Sequence, residues 1–188
     1  MRSIAALILP FFASACALFG GPPEVPAPLP PQTAWIIGQN GAALGQASFT
    51  EAPMGVLIRL EFSAGALPPG WHGLHLHGTG DCSDAAAGFQ ASGAHVGHGA
   101  AHQHGLLNPA GPEQGDLPNL FAPPSSPFAA EFFSTTVTLA DAPTGTRTPL
   151  LDNDGAALVI HAGPDDHQTQ PIGGAGGRLA CAALTRLP

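Results

Sequence analysis

From residue 33 onward, apolar and polar positions alternate with a period of two over short stretches, the pattern of strands with one face buried. The clearest is 55–63, GVLIRLEFS, where Val56, Ile58, Leu60 and Phe62 fall on one face and Arg59 and Glu61 on the other. Stretches 34–38 and 45–50 flank Asn40-Gly41, a dipeptide favoured between antiparallel strands because both residues tolerate positive φ. A Pro-Pro-Gly turn at 68–70 leads into a strand expected over 71–78. Residues 128–140 hold the β-branched run FFSTTVTLA, 156–161 are apolar enough for a buried strand, and 178–184 form the last strand. Two tracts, 79–118 and 162–177, are heavy in Gly, Pro, Asp and His and follow neither strand nor helix period. Loops this long inside a compact domain generally carry function. The pattern predicts an all-β domain over 33–188, an antiparallel Greek-key sandwich or barrel with two elaborated loops and no helix.

Composition narrows the function classes. Gly (25) and Pro (21) are abundant and only 10% of the 188 residues are charged, yet 44% are hydrophobic, which supports a packed core over disorder. The net charge is −8, with no Lys and only Arg2, Arg59, Arg147, Arg178 and Arg186 as cations. No basic stripe can be assembled from these, so nucleic acid is excluded as a partner. A small anion would have to be received at a local positive spot against the overall field.

The first 15 residues read as a signal peptide: Arg2, an apolar run over 4–12, then the small residues Ala13, Ser14 and Ala15. The run is too short to span a bilayer as a mature helix. Cys16 follows directly, as in a bacterial lipobox, although Ala13 stands where Leu is usual. Residues 20–31, GGPPEVPAPLPP, make an extended spacer, so 16–32 is read as a lipidated cysteine and its tether. Ordinary cleavage at the same bond, leaving a free thiol, is the alternative. The expected location is outside the cytoplasm, in the periplasm or cell envelope, with Cys16 as a lipid anchor to the membrane. With Cys16 so used, Cys82 and Cys181 remain as the natural disulfide pair. A bridge closing such a loop of about 100 residues is worth about 4–5 kcal/mol in the chain-entropy model.

Nine histidines occur, none before residue 72 and seven between 72 and 104. Such density also suits a floppy metal-sequestering tract, but the spacing is more specific. His75 and His77, at i and i+2 of an expected strand, point to one face and can share an ion. His161 ends another strand, while His95, His104 and Asp116 lie in the first long loop. Imidazole suits copper and zinc alike, and a carboxylate tilts a site towards zinc.

Four segments, GLHLHGTGDC (73–82), GDLPNL (115–120), HAGPDD (161–166) and GGAGGRLAC (173–181), resemble bacterial Cu/Zn superoxide dismutases in the same order, over essentially all of 33–187. The resemblance implies an eight-stranded Greek-key β-barrel with a metal-binding and an electrostatic loop. It implies copper on His75, His77, His95 and His161, with His95, the last residue of Gly93-Ala94-His95, shared with zinc. Zinc would also take His104 and Asp116, Asp165 would link the two sides from outside, and Cys82 would bond to Cys181. Arg178 would guide and hold the superoxide anion, making His95 and Arg178 the catalytic pair. One position departs: Glu113 stands where the family has its third zinc histidine. Three readings follow: Glu113 ligates zinc through an oxygen, His98 or His102 substitutes, or zinc binding is weak or absent. Otherwise His98 and His102 are expected to be solvated, His72 structural, and His167 without an assigned partner. The implied activity is superoxide disproportionation; the rivals are a copper-buffering protein that kept the barrel and a copper-only dismutase. Arg178 speaks against a pure buffer, which has no use for it. The family includes monomers and dimers, and no segment marks a homodimer interface.

Overall fold

Eleven strand segments carry the fold in a computed structural model that describes residues 29–99 and 101–186. They are β1 (Gln32–Gly38), β2 (Ala43–Ala52), β3 (Gly55–Phe62), β4 (Gly70–His72), β5 (Leu74–His77), β6 (Leu120–Ala122), β7 (Phe128–Ser134), β8 (Val137–Thr138), β9 (Thr148–Pro149), β10 (Ala156–His161) and β11 (Arg178–Leu184). The signal segment, Cys16 and the tether up to residue 28 lie outside the described residues.

Seven strands make one curled antiparallel sheet in the order β5-β10-β11-β1-β2-β3-β7. Neighbours that are distant in sequence, β5 beside β10 and β3 beside β7, require the strand-skipping connections of a Greek key. Two small pairs complete it, β4 with β6 and β8 with β9. The tight turn at Asn40-Gly41 joins β1 to β2, with Gly41 at φ 76°. The inward face of β3 is as the alternation predicts: Val56, Ile58, Leu60 and Phe62 are buried against Ala47 and Phe49 of β2. Each such side chain contributes about 1.5–3 kcal/mol by leaving water.

Two expected strands are interrupted. The one over 71–78 breaks at Gly73, whose N–H donates to the Gly163 carbonyl (2.8 Å) and whose carbonyl accepts from the His161 N–H (2.9 Å). The chain changes partner there, from β6 to β10, and a period of two carries no record of such an exchange. The run over 128–140 divides likewise into β7 and β8. The 79–118 loop also contains two single 3₁₀ turns, Ala85–Ala87 and Gln90–Ser92, too short to leave a helical period in the sequence. The eight expected strands thus resolve into more, shorter segments within the expected all-β architecture.

Candidate metal centre

Strand alternation separates core from site. On β5, Leu74 and Leu76 enter the core, so His75 and His77 face the other way, and all four residues are buried. On β10, Ala156, Leu158 and Ile160 face the same core, while Ala157 and Val159 sit opposite His77 and His75 on the outer side. A register shift between Ile160 and His161 then sets His161 across from Arg178 of β11. The long loop returns along β5 and places His95 beside His77 and Asp116 beside His75. It is held by Val96 N–H to the Leu76 carbonyl and Leu76 N–H to the Gly115 carbonyl, both 2.8 Å. This approach needs glycine at 115, because a side chain there would run into the Leu76 carbonyl.

Four of these histidines, His75, His77, His95 and His161, each leave one ring nitrogen over. Among the described residues, His75 Nδ1 and Nε2 of His77, His95 and His161 are buried without a hydrogen-bond partner. The other nitrogen of each ring is committed: His75 Nε2–H donates to Asp165 Oδ2 (2.8 Å), His77 Nδ1–H to the Gly93 carbonyl (2.9 Å), His161 Nδ1–H to the Gly176 carbonyl (2.9 Å) and His95 Nδ1–H to Glu113 Oε2 (2.9 Å). Those four residues offer ligand atoms all within 4.8 Å of one another. Four orphaned acceptors converging in a protein interior call for an ion, and an all-imidazole set suits copper. Burial pushes His75 down to about 4, His77 to about 2 and His161 to about 3, so their lone pairs are free at neutral pH.

A second set, His95, His104, Glu113 and Asp116, also has its ligand atoms within 4.8 Å, and all four residues are buried. Asp116 Oδ1 lies 2.7 Å from His104 Nδ1 and 3.3 Å from His95 Nδ1, and Glu113 Oε2 lies 2.9 Å from His95 Nδ1. Donors around a tetrahedral zinc with bonds near 2.0 Å lie about 3.3 Å apart, so the set fits that ion. His95 belongs to both groups, presenting Nε2 to the first and Nδ1 to the second. Glu113, rather than His98 or His102, is the fourth member. His102 is exposed and lines a separate cavity with Pro112 and Gln114. His98 is exposed, as expected of a solvated loop histidine, but it also has a partner: its Nδ1–H donates to Glu113 Oε1 (2.8 Å).

Asp165 ties the two sets together from behind, accepting from His75 Nε2 through Oδ2 and from His104 Nε2 through Oδ1 (3.2 Å). Burial would raise its pKa, but the bonds from His104, His75 and the His167 N–H hold it well below the usual carboxylate range. Burial likewise opposes the charge on His104, yet its bonds to Asp116 and Asp165 win and raise it to about 10. The same His104 contact, with those from His95 and the Gly105 N–H, outweighs burial at Asp116 and keeps it ionised. His167 finds one hydrogen-bond partner, Asn119 Nδ2 at 3.2 Å from its Nε2, while its buried Nδ1 lies 3.4 Å from Asp165 Oδ2 without bonding to it. His72 is structural, its ring spanning the carbonyls of His161 (2.7 Å) and Pro68 (2.8 Å).

Arg178 stands over the first set, sharing a cavity of about 150 Å³ with His77, His95, His98 and Ile172. Its Nη1 donates to the Phe89 carbonyl (2.6 Å) and Ser92 Oγ (2.9 Å), and Nη2 to the Gly93 carbonyl (2.8 Å). A guanidinium has five N–H donors, so two stay available for an anion. The Cys82–Cys181 disulfide ties the loop that bears these acceptors to β11, and both cysteines pack with Phe89. Sequence reading missed Phe89, Ser92 and Gly93 because two of the three act through carbonyls, which any residue carries. It also missed Asn119, whose side chain clasps the Asp165 backbone through N–H to Oδ1 (2.9 Å) and Nδ2 to the carbonyl (2.8 Å). The GDLPNL segment was the available signal.

Known proteins match this chain along most of its length. The family described as copper/zinc superoxide dismutase (SODC) matches over residues 43–184. The superoxide dismutase [Cu-Zn] of Caulobacter vibrioides is 48% identical over 152 residues, 81% of this chain and 84% of that protein. That of Deinococcus radiodurans is 34% identical over 187 residues, 95% of this chain and 92% of that protein. Among solved structures, a double mutant of a SOD-like protein from Bacillus subtilis superposes with a TM-score of 0.73 at 30% identity, covering 82% of this chain and 97% of that one. The Cu/Zn superoxide dismutase of Brucella abortus superposes with a TM-score of 0.59 at 26% identity, covering 82% and 99%.

Proposed function

Since the chain belongs to the copper/zinc superoxide dismutase family, we propose that it disproportionates superoxide with copper on His75, His77, His95 and His161 and zinc on His95, His104, Glu113 and Asp116. The observation that carries this assignment is the convergence of four buried, unpartnered imidazole nitrogens beside a second four-donor group, joined through one shared ring.

Bound copper supplies the one-electron couple that converts two superoxide anions and two protons to O₂ and H₂O₂, and zinc supplies a fixed positive charge beside His95. The chain's own residues do the rest. Arg178 receives the anion with its two spare N–H donors, and its bonds to Phe89, Ser92 and Gly93 hold it in place beforehand. His95 lines the same cavity and, whenever its Nε2 is not serving as a ligand, can hold a proton there and give it to a reduced substrate oxygen. Asp165, gripping His75 and His104 together, fixes both rings and makes each a better donor. The second donor group argues for a zinc-bearing enzyme over a copper-only one.

Export and anchoring complete the reading. The apolar run over 4–12, the small residues before Cys16 and the Pro-rich spacer support a lipoprotein held at the cell envelope, with this domain beyond the tether.

Two measurements test the assignment. Purified protein should hold copper and zinc and consume superoxide, and Arg178→Ala should keep its copper while kcat/KM falls about tenfold, the worth of one charged hydrogen bond. Copper retained without dismutation would favour a buffer instead. The second measurement uses pH. At neutral pH His104 carries a proton that zinc must displace, because its pKa is raised to about 10, whereas His75, His77 and His161 carry none. Zinc affinity should therefore rise by about tenfold per pH unit between pH 6 and 9, whereas copper meets no such proton on His75, His77 or His161 and should show a shallower slope. Chelator competition at several pH values measures both slopes, and a flat zinc profile would contradict the role given to His104.

A further inference from the structure

Glu113 divides its carboxylate between two histidines. Oε2 lies 2.9 Å from His95 Nδ1, inside the zinc group, and Oε1 lies 2.8 Å from His98 Nδ1. The Glu113 side chain is only 3% exposed and that of His98 is 53% exposed, so the contact runs from the interior to the cavity wall. Among the described residues, His98 is the hydrogen-bond partner of Oε1. The loop is shaped to bring it there: Gly97 at φ 83° and Gly99 at φ 75° flank His98, and the His98 N–H donates to the His95 carbonyl (3.0 Å). Left-handed backbone on both sides turns the ring back over the group that His95 begins.

We propose that His98 is a positioning residue for zinc, pinning Glu113 Oε1 so that Oε2 alone is offered to the ion. The inference rests on the reading that Glu113 ligates zinc. Its physical basis is the difference between a carboxylate and the imidazole it replaces. A carboxylate has one more rotatable bond to fix and two equivalent oxygens, so it can bind through one or both. It also adds a second negative charge to a buried group already holding Asp116. An N–H donated to the spare oxygen corrects both faults, selecting one oxygen and spreading its charge. Glu113 and His98 together thereby do what one histidine would do alone.

The test uses the full chain, with zinc affinity read by competition against a chromophoric chelator and with Co(II) in place of zinc as a spectroscopic reporter. His98→Ala should weaken zinc about 10–100-fold and shift the visible Co(II) bands, as Glu113 is freed to bind through both oxygens. His98→Gln, whose amide can donate to the same oxygen, should recover most of the affinity. Glu113→Gln should weaken zinc at least as much as His98→Ala. If His98→Ala leaves affinity and spectrum unchanged while Glu113→Gln weakens zinc, the positioning role falls and the ligand assignment stands. If neither substitution changes zinc, the ligand assignment falls and takes the positioning role with it. A His98→Gln protein as weak as His98→Ala would also overturn the role, because donation to Oε1 would then not be what matters.

Discussion

Replacing His95 by Ala should weaken the binding of both metals at once and abolish superoxide disproportionation. The ring is a member of both donor groups, with Nε2 among the four unpartnered nitrogens and Nδ1 against Glu113 and Asp116. A four-ligand structural zinc site is worth about 10–16 kcal/mol, so one ligand of four carries about 3 kcal/mol, or ~100-fold in affinity. The same order of loss applies to copper, whose remaining nitrogens would face an open corner. Separate copper and zinc titrations of the variant measure this, with His77→Ala as the control, since His77 reaches only the first group. Loss of copper with zinc retained at wild-type affinity would mean that the two sites do not share this ring.

The second large effect is on stability. The Cys82–Cys181 bond spans a sequence separation of 99, and its cysteines are buried with Phe89, Ala157 and Val159. Removing it by combining Cys82→Ala with Cys181→Ala should lower stability by about 3–5 kcal/mol, mainly by freeing the unfolded chain. Against a total of about 5–15 kcal/mol for a typical domain, that is a large share. Chemical denaturation of the metal-loaded protein gives the number, and a loss below about 1 kcal/mol would contradict it. Activity should also fall under native conditions. The bond secures the loop whose Phe89, Ser92 and Gly93 hold Arg178, so the guanidinium would lose its fixed seat before the domain unfolds.

Where a side chain's role depends on strand parity, the sequence was enough to read it. Val56, Ile58, Leu60 and Phe62 on β3, and the opposed faces of Leu74 and Leu76 against His75 and His77 on β5, follow from a period of two alone. The ligand set across the loop needed the family resemblance, since nothing periodic connects His95 to His104 or Asp116. The His98–Glu113 contact escaped both routes. It lies in a loop with no period and depends on left-handed turns at Gly97 and Gly99. The anchors of Arg178 escaped for another reason. Phe89 reads as a core residue, which it is, but it sits at φ 58° and turns its carbonyl to the guanidinium. The break at Gly73 was illegible because it records a change of strand partner and leaves the apolar pattern intact.

The central claim is one imidazole between two metals, with a carboxylate completing the second site. Crystals of the copper- and zinc-loaded protein, with anomalous scattering recorded at each metal's absorption edge, test it directly. The account predicts copper against His75 Nδ1 and Nε2 of His77, His95 and His161, and zinc against His95 Nδ1, His104 Nδ1, Asp116 Oδ1 and Glu113 Oε2. Zinc bound without Glu113, or a single metal peak in protein carrying both ions, would contradict it.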